Sequence, residues 1–241
     1  ALYNLKGGVG KTAAAINLAY LSAADGYKTL IWDLDPQGSA SFYLNVKPEN
    51  KNETKKLFSS DIEVKDAIQG SVFENLWIIP SDISARNIDT VLDDLKHSKK
   101  KLKSLLNNLK EYDVVILDCP PGISLLHENI FNAADLILMT NIPTTLSINS
   151  FETVMEYFKS NELDKNKVKC FFSMVDHRKN LHHETIQQFY KDKLFFKSYI
   201  PYLSDVEKMG INQQPVFEYA NSSYAAQCFR DLWKEVKKVC L

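Results

Sequence analysis

Seven residues near the start, Lys6-Gly7-Gly8-Val9-Gly10-Lys11-Thr12, constrain the fold more than any other part of this chain. They follow a short apolar stretch, Ala1 to Leu5, and lead into Ala13-Ala14-Ala15-Ile16-Asn17-Leu18-Ala19, which reads as the start of a helix. Strand, glycine turn and helix in that order make a phosphate cradle. Glycines let the backbone approach an anion with no Cβ in the way, and the N–H groups of the turn add to the positive end of the helix dipole. In such a loop Gly7, Gly8, Val9, Gly10 and Ala13 line the cradle, Lys11 reaches the β- and γ-phosphates, and the Thr12 hydroxyl serves Mg²⁺. The plainer reading, a tight strand-to-helix turn with a solvated lysine, has to be weighed against two further segments.

The first is Thr29-Leu30-Ile31-Trp32-Asp33-Leu34-Asp35-Pro36-Gln37-Gly38, an apolar strand ending in two alternate carboxylates and a proline turn. In a parallel sheet the carboxyl ends of neighbouring strands converge on one crevice, so these acids can face the glycine loop. An Asp-Pro turn that caps the following helix would produce the same letters. The second is Val114-Val115-Ile116-Leu117-Asp118-Cys119-Pro120-Pro121-Gly122. A run without alternation fits a strand buried on both faces, and Asp118 at its end is placed to bind the hydration shell of Mg²⁺. Cys119 has no His or second Cys spaced around it for metal or nucleophile work and reads as a small buried filler.

The ordinary phosphate-loop pattern asks for glycine where Leu5 stands, and it has no use for Lys6. The form KGGVGKT resembles the ParA/MinD group of P-loop ATPases, and DLDPQGSAS with the Asp118 segment resembles its ParA/Soj-like partition branch. The resemblance implies that Lys6 acts across a dimer on the partner's nucleotide, that Asp33 sits near Mg²⁺ with Thr12 and Asp118, and that Asp35 orients the attacking water. Lys6, Lys11 and Asp35 are then the catalytic group, and ATP with Mg²⁺ the cofactors. It also implies adenine-side contacts from Met174, Pro201 and Asp205. Only three arginines occur, Arg86, Arg178 and Arg230, all far in sequence from the loop, so Lys6 is the better candidate for the charge an arginine finger would bring.

With 241 residues and 45% hydrophobic content, one large core is expected over residues 1–241. Strand candidates fall near 1–5, 28–33, 76–79, 113–117, 135–140, 168–174 and 198–200, alternating with helices over 11–24, 84–110, 146–161, 180–193 and 222–239. This predicts an α/β fold: a single-domain, P-loop NTPase-like, mostly parallel twisted sheet with helices on both faces. The polar stretch 47–60 is expected to be a surface excursion, and His182-His183 an exposed helix start. No apolar run approaches the roughly 20 residues needed to span a bilayer, no secretory leader is evident, and four scattered cysteines suit a reducing compartment. A cytoplasmic, nucleoid-associated protein is expected.

The resemblance implies an ATP-bound homodimer that binds nonspecific DNA and a ParB-like or cargo-adaptor protein that stimulates slow hydrolysis. DNA contact needs a basic face, and the net charge is −1. Candidate lysines are Lys191 and Lys193 with Lys197, Lys234 with Lys237 and Lys238, and Lys99 to Lys103; such runs are also ordinary solvated faces. Two alternatives remain: positioning a protein cargo, and a MinD-like membrane-associated ATPase, for which the terminal helix would have to lie in the lipid interface. A cluster-bearing relative would need a close cysteine pair, which the sequence lacks.

Overall fold

The computed structural model describes residues 1–51, 53–96 and 98–240. Eight strands form one sheet: β1 (Leu2–Tyr3), β2 (Thr29–Asp33), β3 (Gln69–Gly70), β4 (Leu76–Ile79), β5 (Val114–Asp118), β6 (Ile137–Asn141), β7 (Val168–Val175) and β8 (Phe195–Pro201). Their order is β3-β4-β2-β5-β1-β6-β7-β8, and every pairing is parallel except the short antiparallel β3–β4 edge. The helices are α1 (Lys11–Ala24), α2 (Ser39–Tyr43), α3 (Glu53–Ser59), α4 (Ile88–Asp93), α5 (Lys101–Leu106), α6 (Leu125–Ala133), α7 (Thr145–Ser160), α8 (Asn180–Phe189), α9 (Ser204–Glu207), α10 (Met209–Asn212), α11 (Val216–Ala220) and α12 (Tyr224–Cys240).

The central strands carry apolar residues on both faces because both faces of the sheet are covered, with polar residues at their ends. Tyr3, Leu30, Trp32 and Leu117 point into one core, with Phe58, Ile88, Phe131 and Phe158. Leu2, Ile31 and Ile116 point into the other, with Ile16, Leu18, Phe229 and Leu232 from α1 and α12. The last helix is fastened to the end of α1 by Asp25, whose Oδ2 accepts from Trp233 Nε1 at 2.8 Å and Lys237 Nζ at 2.6 Å. Its apolar face, from Ala225 to Val236, is buried in the second core and is not free to meet lipid.

Three expectations need correction. The helix expected over 84–110 is broken into a 3₁₀ turn at Ile83–Asn87, α4, a 3₁₀ turn at Ser98–Lys100 and α5; position 97 lies outside the described residues. Residues 93–101 carry a single apolar side chain, Leu95, so the middle has almost nothing to bury. The polar stretch 47–60 contains α3, which buries Leu57 and Phe58 completely, although position 52 lies outside the described residues. His182 is buried, and its Nδ1 accepts the Asp176 N–H at 3.0 Å; His183 alone is exposed. The two-residue β3 has no apolar run to announce it.

Candidate functional site

Parallel register brings the chemistry-bearing residues to one edge. Leu2 and Asp33 both pair with Asp118, so the ends of β1, β2 and β5 lie side by side where the glycine loop leaves the sheet. The loop is anchored from below by Asn4, fully buried between strands: its Oδ1 accepts the Lys6 N–H at 2.8 Å and its Nδ2 donates to the Thr140 carbonyl at 2.7 Å. Gly10 turns the chain into α1 with φ +88, and a Cβ built there would sit 2.6 Å from Ser173 Oγ on β7, so conformation and space both demand glycine. No side chain caps α1 and no acid lies in its first turn, which leaves its N–H groups and dipole open to an anion.

Lys11 is buried, and its Nζ donates to the Lys6 carbonyl at 3.0 Å. Burial lowers its pKa, while the Asp118 carboxylate is the largest influence favouring the charged form. Lys6 lies half-buried at the rim, with its Nζ on the Leu146 carbonyl at the start of α7, 2.8 Å away.

The three aspartates have different surroundings. Asp33 is fully buried and both its oxygens are bonded: Oδ2 accepts from Ser41 N at 2.9 Å and Ser41 Oγ at 2.7 Å, and Oδ1 accepts from Asp35 N at 3.2 Å. Burial nevertheless pushes its pKa up to about 6. Asp118 is also fully buried, yet neither of its oxygens accepts a hydrogen bond. Burial and then the Asp33 charge push its pKa well up, while the neighbouring Thr12 hydroxyl and Lys11 ammonium pull it back. Asp35 is half-buried at the mouth, holding its own turn through the Gln37 N–H at 2.9 Å.

Among the described residues no group of three or more His, Cys, Asp or Glu could hold a metal ion. Of the three residues expected near magnesium, Asp33 already accepts three hydrogen bonds, so a magnesium site here would combine Asp118 and Thr12 with phosphate and water oxygens, the donor set this ion favours. An unpartnered buried carboxylate beside a hydroxyl fits that ion.

On the far side, Met174 sits at a β-bulge with φ +54, and Val175 pairs with Pro201 at the end of β8. Asp205, in α9, pairs with Lys208 Nζ at 3.4 Å. Among the candidate DNA lysines, Lys234 pairs with Asp231 and Lys237 with Asp25, whereas Lys191 and Lys193 are exposed and have no ion pair among the described residues. Sequence reasoning missed Asn4 and Ser173, whose roles depend on strand neighbours far away in the chain. It also missed Asn17, whose buried amide on α1 holds the Val216 N–H and the Met209 sulfur.

A glycine loop at the head of a parallel sheet, with a buried carboxylate on the adjacent strand, defines a P-loop nucleotide hydrolase. A family model described as an AAA domain matches residues 1–169. The sporulation initiation inhibitor protein Soj of Bacillus subtilis is 29% identical over 98% of this chain and 96% of its own length. The chromosome partitioning protein ParA of Myxococcus xanthus is 29% identical over 98% and 86%. A putative plasmid partition protein of Borrelia burgdorferi, solved with AMPPNP, superposes with a TM-score of 0.86 at 20% identity, covering 99% of this chain and 98% of that one. At that identity the superposition speaks for the fold. The chain belongs to this AAA-domain family, and within it to the ParA/Soj-like partition ATPases.

Proposed function

We propose that the chain is an ATP-dependent dimerisation switch with slow Mg²⁺-dependent hydrolysis, acting in plasmid or chromosome partition through nonspecific DNA binding. The observation that carries this reading is Asp118: a fully buried carboxylate with no hydrogen bond in place on either oxygen, set beside Thr12 and Lys11 at the foot of the cradle. Leaving such a group unpaired costs about 1–3 kcal/mol, which a fold tolerates where a ligand completes the site. Bound Mg²⁺ would supply charge neutralisation at the phosphates. The chain's own residues do the rest: the Gly7 to Ala13 backbone and Lys11 bind and orient the polyphosphate, Asp118 and Thr12 hold the metal, and Asp35 aligns the attacking water.

Lys6 acts on the nucleotide of a second copy. The rim on which it lies supports this reading. Phe42, Ile83 and Leu146, which follow the ends of β2, β4 and β6, are 49%, 61% and 71% exposed on the cradle side of the sheet. The DNA contact is assigned first to Lys191 and Lys193, because two of the three lysines of α12, Lys234 and Lys237, are drawn into ion pairs. A ParB-like or adaptor partner stimulates turnover. No helix among the described residues is long and apolar enough to cross a membrane.

The test is sedimentation with nonspecific DNA in ATP, ADP or no nucleotide, across a salt series, with Lys6→Ala as control. Cosedimentation only with ATP, weakening with salt and absent in Lys6→Ala, is the expected result. Dimerisation with ATP but no DNA binding would keep the switch and discard the nucleoid.

A further inference from the structure

The segment between Asp118 and α6, Cys119-Pro120-Pro121-Gly122-Ile123-Ser124, connects the buried carboxylate to the rest of the fold, and its backbone has little means of holding itself. Pro120 and Pro121 have no N–H to give, and Gly122 lies at φ +113, open to many conformations. Four hydrogen bonds tie Cys119 to Gly122 down, the first from the Cys119 N–H to the Leu2 carbonyl at 3.3 Å. The Gly122 N–H donates to the Leu5 carbonyl at 3.1 Å. The Tyr3 hydroxyl donates to the Gly122 carbonyl at 2.9 Å. His127 Nε2 lies 3.0 Å from the Pro120 carbonyl. The first three join the segment to β1 and the start of the glycine loop; the fourth, from His127, is the one that joins Pro120 to α6.

The chemistry of His127 is fixed by its partners. A carbonyl only accepts, so Nε2 carries the proton toward Pro120, and in the neutral ring Nδ1 is left as an acceptor for the Ser124 hydroxyl 2.9 Å away. The ring is 2% exposed and leans on Tyr3 at 5.5 Å between centroids, and burial lowers its pKa, favouring this neutral form. Ser124 is the N-cap residue of α6, where a serine ordinarily caps the helix with its own hydroxyl. Here it makes no capping bond, and the Leu126 N–H is taken instead by Asp89 Oδ1 from α4 at 2.8 Å. The fold has thus released Ser124 to serve His127.

What the anchored segment touches is the cradle. A Cβ built on Gly7 would lie 4.0 Å from Pro121 Cγ, so Pro121 packs along the glycine loop, while Asp118 stands one residue before the segment begins. We propose that His127 is a positioning residue for hydrolysis, its Nε2–H bond to Pro120 fixing the segment that aligns Asp118 with the glycine loop. This rests on the ATPase reading of the site. His127 touches neither nucleotide nor metal; it acts through Pro120 and Pro121.

The experiment compares His127→Phe, which keeps the aromatic packing and loses both polar bonds, with His127→Gln, whose amide can reach the Pro120 carbonyl. ATP hydrolysis with Mg²⁺, binding of a fluorescent ATP analogue and melting temperature are read for each, with Lys11→Ala as the control for the site itself. Loss of a residue that orients a ligating group is expected to cost about tenfold or more in kcat for His127→Phe, with KM and analogue affinity changed less than about threefold. His127→Gln should recover most of that loss even if its melting temperature is the lower of the two. Unchanged kcat in His127→Phe, or equal impairment of both variants in step with their melting temperatures, overturns the proposal. Should His127→Phe not fold, Ser124→Ala with His127→Gln decides it: a kcat loss in the first but not the second supports the proposal, and parent kcat in both overturns it. Hydrolysis by Lys11→Ala at the parental rate would instead strike the reading of the site and leave the geometry of His127 as it is.

Discussion

Asp33 and Asp118 are neighbours in register at the ends of two paired strands, both fully buried, and they are provided for in opposite ways. Asp33 takes three hydrogen bonds from the turn that follows it, and Ser41 in turn accepts the Ser81 N–H at 2.9 Å, tying the ends of β2 and β4 together. Asp118 has none. The first carboxylate holds a loop in place; the second is held in place by its surroundings while its own bonding capacity is left open. Burial and a carboxylate at a strand end look alike in both, so the number of bonds already made is what separates the two acids.

The largest effect should come from Asp118→Asn. Hydrolysis is expected to fall by about 100-fold or more, measured as steady-state phosphate release. The nucleotide-free protein should become more stable near neutral pH, by about 1–3 kcal/mol in chemical denaturation, because a carboxyl whose burial outweighs the help of Thr12 and Lys11 has been removed. The sign follows from linkage: a buried carboxyl whose pKa is raised binds its proton more tightly folded than unfolded, so its contribution to stability falls as pH rises through the carboxylate range. The gain in Asp118→Asn should therefore shrink toward pH 4, while the component from Asp33, which ends near its pKa of about 6, persists in both proteins.

The opposite behaviour is expected of Asp33→Ala. It strands the Ser41 and Asp35 N–H groups, and a loss of about 2–3 kcal/mol in stability should accompany any loss of activity. If Asp33→Ala instead left stability intact and abolished only magnesium dependence, the contrast between the two acids would collapse. A third variant, Asp35→Ala, should lower turnover about tenfold or more while an ATP-bound dimer persists in size-exclusion chromatography. Loss of the dimer would move Asp35 from the reaction to the architecture. Smallest of all, Ser41→Ala should cost about 1 kcal/mol by removing one hydroxyl from the Asp33 network, with nucleotide affinity unchanged in titration calorimetry.

Much of this was legible in the sequence because it is local. The glycine loop, the helix after it and the apolar runs of β2 and β5 are each specified by consecutive residues, and their order fixes a parallel sheet with its crevice at the carboxyl ends. The aspartates were located, but their division of labour was not. It depends on Ser41, eight positions beyond Asp33 on a short helix, and on the lack of any such residue after Asp118, where two prolines follow. Ser173, whose hydroxyl crowds position 10, and Asn4, which reaches across to β6, were hidden because strand neighbours are remote in the chain. The broken helix between 84 and 110 was misread because leucines spaced like one long helix belong to two short ones.

The resting place of Lys6 bears on how such a molecule could be reversible. Its ammonium leans on a main-chain carbonyl at the rim and on no carboxylate among the described residues. Departure would exchange one neutral acceptor for water, a nearly level trade compared with tearing apart a buried ion pair. In the proposed ATP-bound dimer the side chain would leave its own subunit and come back without a large barrier in either direction, and the lifetime of the paired state would be set by the nucleotide between the subunits and not by how firmly each lysine is tethered at home.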